Sequence, residues 1–414
     1  MMPTPDQSTP VVPDSTSLRS QAPSPAKPER LVSLDAYRGA IMMLMASSGL
    51  GLAEVARHFP TSPLWQLLGR HTEHAEWVGC TLWDLIQPAF MFMVGVALPW
   101  SIANRRARGV SFGRMLWHAL WRSLVLVLLA VFLSSAWSSQ TAWVFANVLA
   151  QIGYGYPLLF LLAFARPRVQ WLAAFGILLG YWLLFALYPL PPANFDYAGV
   201  GIGADWPRLT GFAAHWEKNT NIAAAFDQWF LNLFPREKPF VFNSGGYQTL
   251  NFVPSLATMI FGLLTGQLMR SQRPLTQKLK RLAGFGLAGI VLGQVIALAG
   301  LCPIVKRIWT PSWAIYSGGW VVLLLAAFVA LIDWRGWKRW AFPLVVAGLN
   351  PITLYCMWQL LPPFVRDSIK RHLGPGIFEC FGAVYAPILE HLAVLAVFWL
   401  ILLWMHRRKI YLRI

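Results

Sequence analysis

Apolar runs recur along this chain, each about 20 residues long with few or no charges, and each is long enough to cross the ~30 Å hydrocarbon core of a bilayer as a helix. They lie at roughly 33–52, 83–102, 114–134, 143–164, 170–189, 249–269, 282–301, 312–332, 341–361 and 385–405. In lipid a backbone must satisfy its own hydrogen bonds, so each run is read as an α-helix. The expected fold class is therefore all-α: a polytopic transmembrane helical bundle of about ten spans. Composition supports this. Residues of the AVILMFWYC set make up 57% and charged residues 12%, against about 25% charged in an ordinary soluble domain. A soluble enzyme, a disordered protein and a disulfide scaffold are excluded. Residues 1–30 differ, being rich in Pro, Ser, Thr and Gln with no apolar core, and are read as a disordered cytoplasmic tail rather than a signal peptide. Residues 31–414 form one membrane domain.

The net charge of +17 would suggest nucleic acid in a soluble protein, but no nucleic-acid-binding motif is present. The basic residues sit in short clusters between apolar runs. With ten spans, 23 of the 34 Lys and Arg fall on one side and 11 on the other. The positive-inside rule then places both termini in the cytoplasm and the chain in the cell (inner) membrane, with the lipid bilayer as its first partner. The opposite face receives the long connections 53–82, 190–248 and 362–384, where a site would be built. The four cysteines form no CxxC pair, and no metal is expected.

The densest cluster of chemistry-bearing residues is His71-Thr72-Glu73-His74-Ala75-Glu76-Trp77-Val78-Gly79-Cys80-Thr81-Leu82-Trp83-Asp84, where the second run begins. A histidine near a carboxylate can act as a base near neutral pH. Solvated residues of an interfacial loop are the alternative. A second cluster, Ser33-Leu34-Asp35-Ala36-Tyr37-Arg38-Gly39, opens the first run, with Asp35 and Arg38 spaced to face one another as an anchoring ion pair or as the wall of a site. Asn147, Gln151, Asn251, Asn350 and Gln359 lie in or beside runs, as interhelical glue or cavity lining. Lys306, Arg307, Trp309 and Thr310 form a basic-aromatic segment at the outer end of a run.

These segments resemble the heparan-α-glucosaminide N-acetyltransferase-like family of membrane acyltransferases. The Ser33 to Gly39 cluster matches its S-L/V-D-x-F/Y-R-G start. His74 to Gly79, Trp83 to Pro88 and Phe92-Met93-Val94-Gly95 resemble its H-x-x-W-x-G, D-L-x-x-P and F-x-x-G block. Asn147 to Ile152, Pro303 to Ser312, Gly348 to Ile352 and Arg407 to Leu412 follow in order. The resemblance runs from about residue 31 to 414. It implies a bacterial-type member without the luminal domain of the animal enzyme, acting as a transmembrane acyltransferase with acetyl-CoA as cytoplasmic co-substrate and an amino-sugar or glycan amine as acceptor on the outer face. It implies that His74, not His71, is the catalytic histidine, with Asp84 as its partner. Ser47 stands where the family commonly has an assisting Asn. Arg38, Asn147 and Gln151 become candidates for binding CoA, and Trp77, Lys306 and Asn350 for binding the acceptor. Pairing with a second copy is left open. A CoA with several negative charges suits a basic inner face. The competing class is a multi-span permease or flippase for a sugar or lipid-linked substrate without acyl chemistry.

Overall fold

A computed structural model describes residues 31–412; the tail expected over 1–30 lies outside them. Among the described residues the chain is helical, with one isolated β-bridge, Val78 to Val305. The α-helices are α1 Val32–Ala46, α2 Leu52–Ala56, α3 Pro63–Thr72, α4 Ile86–Ala107, α5 Phe112–Ser135, α6 Val148–Leu162, α7 Pro167–Ala186 and α8 Ile222–Leu231. They continue as α9 Phe252–Arg270, α10 Leu275–Leu298, α11 Pro311–Phe328, α12 Phe342–Leu349, α13 Pro351–Leu360, α14 Pro362–Leu373 and α15 Ala386–Arg407.

Among the described residues seven segments are long and apolar enough to cross a membrane: Trp83–Ala107, Phe112–Ser135, Pro167–Ala186, Thr249–Arg270, Leu275–Leu298, Pro311–Trp334 and Ala383–Arg407. This is a multi-pass membrane protein. Three of the ten expected runs depart from a single long helix. The first breaks after Ala46: Ser48, Gly49, Leu50 and Gly51 all take positive φ, and the chain resumes at a bend of 45°. Left-handed backbone costs the non-glycine residues Ser48 and Leu50 roughly 1–2 kcal/mol each, and the Trp358 indole N–H, donating to Ser48 Oγ at 3.1 Å, helps hold the turn. The fourth run is shortened to the 15 residues of α6, because Asn147 caps it, its side chain accepting the Ala150 N–H at 3.0 Å. The ninth is split by 73° at Asn350, which precedes Pro351 and takes φ −129° and ψ 55°. Steric conflict with the proline ring drives the preceding residue out of the α region. Counting each bent pair as one span gives up to nine.

Small residues set the closest helix contacts. A Cβ on Gly262 of α9 would stand 2.0 Å from the Phe92 carbonyl oxygen of α4, and one on Gly95 of α4 would stand 1.9 Å from the Met259 oxygen. Without a hydrophobic force between helices in lipid, such close backbone packing is what holds a pair. Gly262→Ala is therefore expected to lower stability by about 1–3 kcal/mol through overpacking. Thermal unfolding of the purified protein checks this, and an unshifted transition would show that α4 and α9 tolerate separation.

At one end of the bundle the long connections lock together. The Trp77 indole donates to the Trp216 carbonyl at 3.1 Å, and the Gly79 N–H donates to the Ile304 carbonyl at 2.9 Å. Arg307 donates to the carbonyls of Gly245 (2.7 Å) and Ala75 (3.4 Å). Segments 73–82, 187–248 and 299–310 thus form one cap over the ends of α4, α9 and α11.

Candidate active site

Asp84 lies in the short 3-10 turn Trp83–Leu85 that leads into α4, and it is 1% exposed. A buried carboxylate needs its lone pairs filled. Here Oδ2 accepts the backbone N–H groups of Ala75 and Thr81, both at 3.1 Å, which folds the 73–82 loop back over the helix start. Oδ1 faces His74 Nδ1 at 2.7 Å and Lys306 Nζ at 3.4 Å. At 2.7 Å from a carboxylate oxygen, Nδ1 carries the ring proton, which leaves the lone pair on Nε2. Lys306 Nζ closes the triangle, 2.9 Å from Nδ1 and 3.5 Å from Nε2.

Burial pushes the His74 pKa below its ordinary 6.5; the Asp84 hydrogen bond opposes this and the Lys306 charge reinforces it. His74 is thus a neutral imidazole at pH 7. Burial also lowers Lys306 to about 8, against the attraction of Asp84. An imidazole with a free nitrogen, a fixed tautomer and an adjacent cation is equipped to take a proton or attack an acyl carbon while a positive charge stands nearby.

His74 and Lys306 line a cavity of about 430 Å³, together with Gln87, Asn147, Tyr247 and Trp358 among others. Phe90 of α4 is part of its wall. The same Phe90 lines a second cavity of about 110 Å³, whose wall includes Arg38, Arg122 and Tyr156. Phe90 is thus common to the walls of the His74 cavity and of a cavity with two arginines. Arg38 is anchored there by Asp35 (2.7 Å) and by the Gly348 carbonyl (2.6 Å). Arg122 stacks on Tyr156 at 4.6 Å, and its buried Nε has no hydrogen-bond partner.

The residues singled out in the sequence divide into two sets. His74, Asp84 and Lys306 meet, and Asn147 lines their cavity. Gln151 is buried and reaches the cavity only through Gln87, whose amide donates to its Oε1 at 3.1 Å. The other three stand apart from the cavity. Ser47 donates to its own helix at the Leu44 carbonyl, 2.6 Å away. Trp77 is buried in an aromatic cluster of the cap, edge-on to Trp206 at 6.1 Å. Asn350 holds the C-terminal segment, donating to the Ile410 carbonyl at 3.1 Å and accepting the Leu412 N–H at 3.0 Å. His71 is exposed, with Nδ1 accepting the Leu82 N–H at 3.3 Å.

No family model matches the chain. Two characterised proteins do. Human heparan-alpha-glucosaminide N-acetyltransferase is 24% identical over 403 residues, covering 85% of this chain and 57% of that protein. The mouse protein of the same name is 24% identical over 395 residues, covering 83% and 57%. The chain is related at family level to the heparan-alpha-glucosaminide N-acetyltransferases. It spans a little over half the length of these N-acetyltransferase relatives.

Tyr247, Gln87, Trp358 and Arg122 line the two cavities without having been singled out for the site. Gln87 lay inside a motif already noted, as the residue before Pro88. Tyr247 carried no local signal: it sits in the 187–248 connection, and only the cap brings its ring within 6.5 Å of His74. Arg122 reads from sequence as one more basic residue of the side that carries most of them, although it lies well inside α5.

Proposed function

We propose that this protein is a transmembrane acyltransferase that moves an acetyl group from acetyl-CoA to the amine of an amino sugar or glycan. The observation that carries the reading is the His74–Asp84–Lys306 triangle in a cavity that shares Phe90 with a second cavity lined by Arg38 and Arg122. The N-acetyltransferase relatives support the reaction class and the amine acceptor.

In this reading the arginine chamber opens toward the cytoplasm, both termini are cytoplasmic, and α6 together with the two bent pairs completes ten spans in the cell membrane. The Lys/Arg asymmetry supports that orientation. The phosphates of CoA bind at the arginine end, where the unpartnered Arg122 Nε–H offers a donor, and the pantetheine arm passes Phe90 to present its thioester to His74. The acceptor amine enters from the capped face. His74 Nε2 takes the proton from the amine as its nitrogen forms the amide bond, the C–S bond breaks, and the CoA thiolate leaves and is protonated. Attack of Nε2 on the acetyl carbon before the amine arrives uses the same geometry. In either order Lys306 neutralises negative charge on the thioester oxygen as it develops.

The test is purified protein with labelled acetyl-CoA, alone and with glucosamine. Amine-dependent CoA release supports the reading, and no release under any amine overturns it. The pH profile adds a second check. His74 must be neutral, so the acid limb is expected below pH 6.5. Lys306 must be charged, so activity is expected to fall again near its pKa of about 8. Lys306→Met should lower turnover at neutral pH and abolish the alkaline limb. An unchanged alkaline limb in that variant would remove Lys306 from the charge-bearing role.

A further inference from the structure

The largest cavity among those described lies away from His74. It has a volume of about 480 Å³ and sits among α7, α9, α10 and α11. Its floor is formed by Phe261, Leu264 and Thr265 of α9 and by Ile315, Gly318 and Gly319 of α11. Its walls are Trp171 and Phe175 of α7 and Phe285, Ala288 and Leu292 of α10. The Trp171 ring stands 5.8 Å from Phe261 and 6.1 Å from Phe285, so the three rings touch and form one aromatic wall of the groove. Phe285 and Leu292 are 54% and 46% exposed, which leaves the groove open along the face of α10.

The two ends differ. At the end where α9 finishes and α10 starts, the lining includes Arg273, Arg281, Gln267 and Ser271, and no carboxylate lines any part of the cavity. Neither Arg273 nor Arg281 makes a hydrogen bond or ion pair among the described residues, and both are exposed. From there the lining is apolar down to Leu292. Eleven residues of helix separate Arg281 from Leu292, roughly 16 Å at 1.5 Å per residue. That is about half of a ~30 Å hydrocarbon core, or one leaflet. The groove is therefore one leaflet deep, apolar along its length, and ends in two uncompensated cations at the level of the lipid headgroups.

We propose that this groove is a binding site for an anionic phospholipid, with one acyl chain laid along α10 beside the Trp171–Phe285 ring pair and its phosphate held by Arg273 and Arg281. Charge complementarity selects the headgroup, because a basic pocket between transmembrane helices attracts anionic rather than zwitterionic lipid. The chain adds packing contacts along the groove rather than a hydrophobic force, because the surrounding lipid or detergent is equally apolar. The site also explains the pattern of exposure in α10, which packs on α11 through Gly286, Gly289 and Gly293 and leaves Phe285 and Leu292 turned away from the bundle. A bound lipid would cover that side and brace α7 against α10.

The experiment uses the full chain in a neutral detergent, with phosphatidylglycerol, phosphatidylcholine and inorganic phosphate as separate probes. Native mass spectrometry reads retained lipid, and thermal unfolding reads stabilisation. Phosphatidylglycerol is expected to be retained at least ~10-fold more than phosphatidylcholine, because both carry the phosphate but only phosphatidylcholine brings a cation of its own, which the two arginines repel, and to raise the melting temperature. Arg273→Gln with Arg281→Gln should remove that preference, whereas Arg273→Lys with Arg281→Lys should keep it in part. Ala288→Trp, which fills the apolar groove and spares both arginines, should reduce retention of phosphatidylglycerol. Equal retention of the two lipids, stabilisation by inorganic phosphate alone, or retention unchanged in both the glutamine and tryptophan variants would each overturn the proposal. So would a protein-concentration-dependent dimer that forms in lipid-free detergent and is lost in Ala288→Trp, because a second copy would then be the occupant.

Discussion

His74→Ala is expected to lower acetyl transfer by ~10²–10⁴-fold, the usual cost of removing a general base, while leaving the fold and CoA binding largely intact. The geometry separates these properties. Among the described residues His74 donates its Nδ1–H to Asp84 and stands beside the Lys306 ammonium, and the 73–82 loop keeps its other ties: Ala75 and Thr81 to Asp84, Gly79 to Ile304, and Trp77 to Trp216. The imidazole side chain is 36% exposed, so its loss opens no large internal void. His71→Ala serves as the control, because that ring is exposed and touches only the Leu82 N–H. The measurement is transfer rate at matched membrane expression, with CoA affinity determined in parallel. Near-normal turnover in His74→Ala, or an equal loss in His71→Ala, would show that the chemistry lies elsewhere.

The second large effect is expected from Asp84→Asn. The replacement is almost isosteric, and its amide oxygen can keep the two backbone N–H bonds from Ala75 and Thr81. Its NH₂ then points at His74 Nδ1, which must become the acceptor. The ring proton moves to Nε2, and the base is lost although the histidine remains. In a serine-protease triad a tautomer error of this kind costs on the order of 10⁴ in rate. The change also leaves Lys306, which is 5% exposed, without its counter-charge at 3.4 Å. Truncating one partner of a buried ion pair is destabilising by roughly 3–5 kcal/mol, so thermal unfolding should shift along with the rate. A loss of rate approaching that of His74→Ala, with CoA affinity retained, is the expected outcome. Turnover within a few-fold of the parent protein would rule out Asp84 as the group that orients the ring.

The two carboxylate–histidine partners were legible because they are local. His74 and Asp84 are ten residues apart, and the turn that starts α4 brings them together through bonds local to the loop, from the Ala75 and Thr81 N–H groups to Asp84, while distant chain holds the loop from outside. The same locality made the Asp35–Arg38 pair readable, since three residues is one helical turn. Lys306 drew notice as part of a basic-aromatic segment, but its contact with His74 spans 232 residues and depends on the cap. Ser47, Trp77 and Asn350 show the converse. Each sits in or near a family-like motif, yet the structure gives each an internal partner: the Leu44 carbonyl, the Trp216 carbonyl and the Ile410–Leu412 backbone. A polar or amphipathic residue in an apolar chain must bond something, and sequence alone does not say whether that partner is substrate or backbone.

The sequence by itself determined that the chain is helical and membrane-embedded, where most of its apolar runs lie, and that one histidine and one carboxylate share a loop. Hydropathy and the demand for internal backbone hydrogen bonds act within each segment, so they can be read locally. Only the tertiary structure decided that the runs at 33–52 and 341–361 bend, that Lys306 and Tyr247 close around His74, that Phe90 belongs to the walls of both the His74 cavity and the Arg38–Arg122 cavity, and that an apolar groove opens among α7, α9, α10 and α11. Those features depend on how glycine contacts such as Gly95 with Met259 set helix separations, and on how loops far apart in sequence dock on one another. Both are properties of packing between segments, and no segment carries them alone.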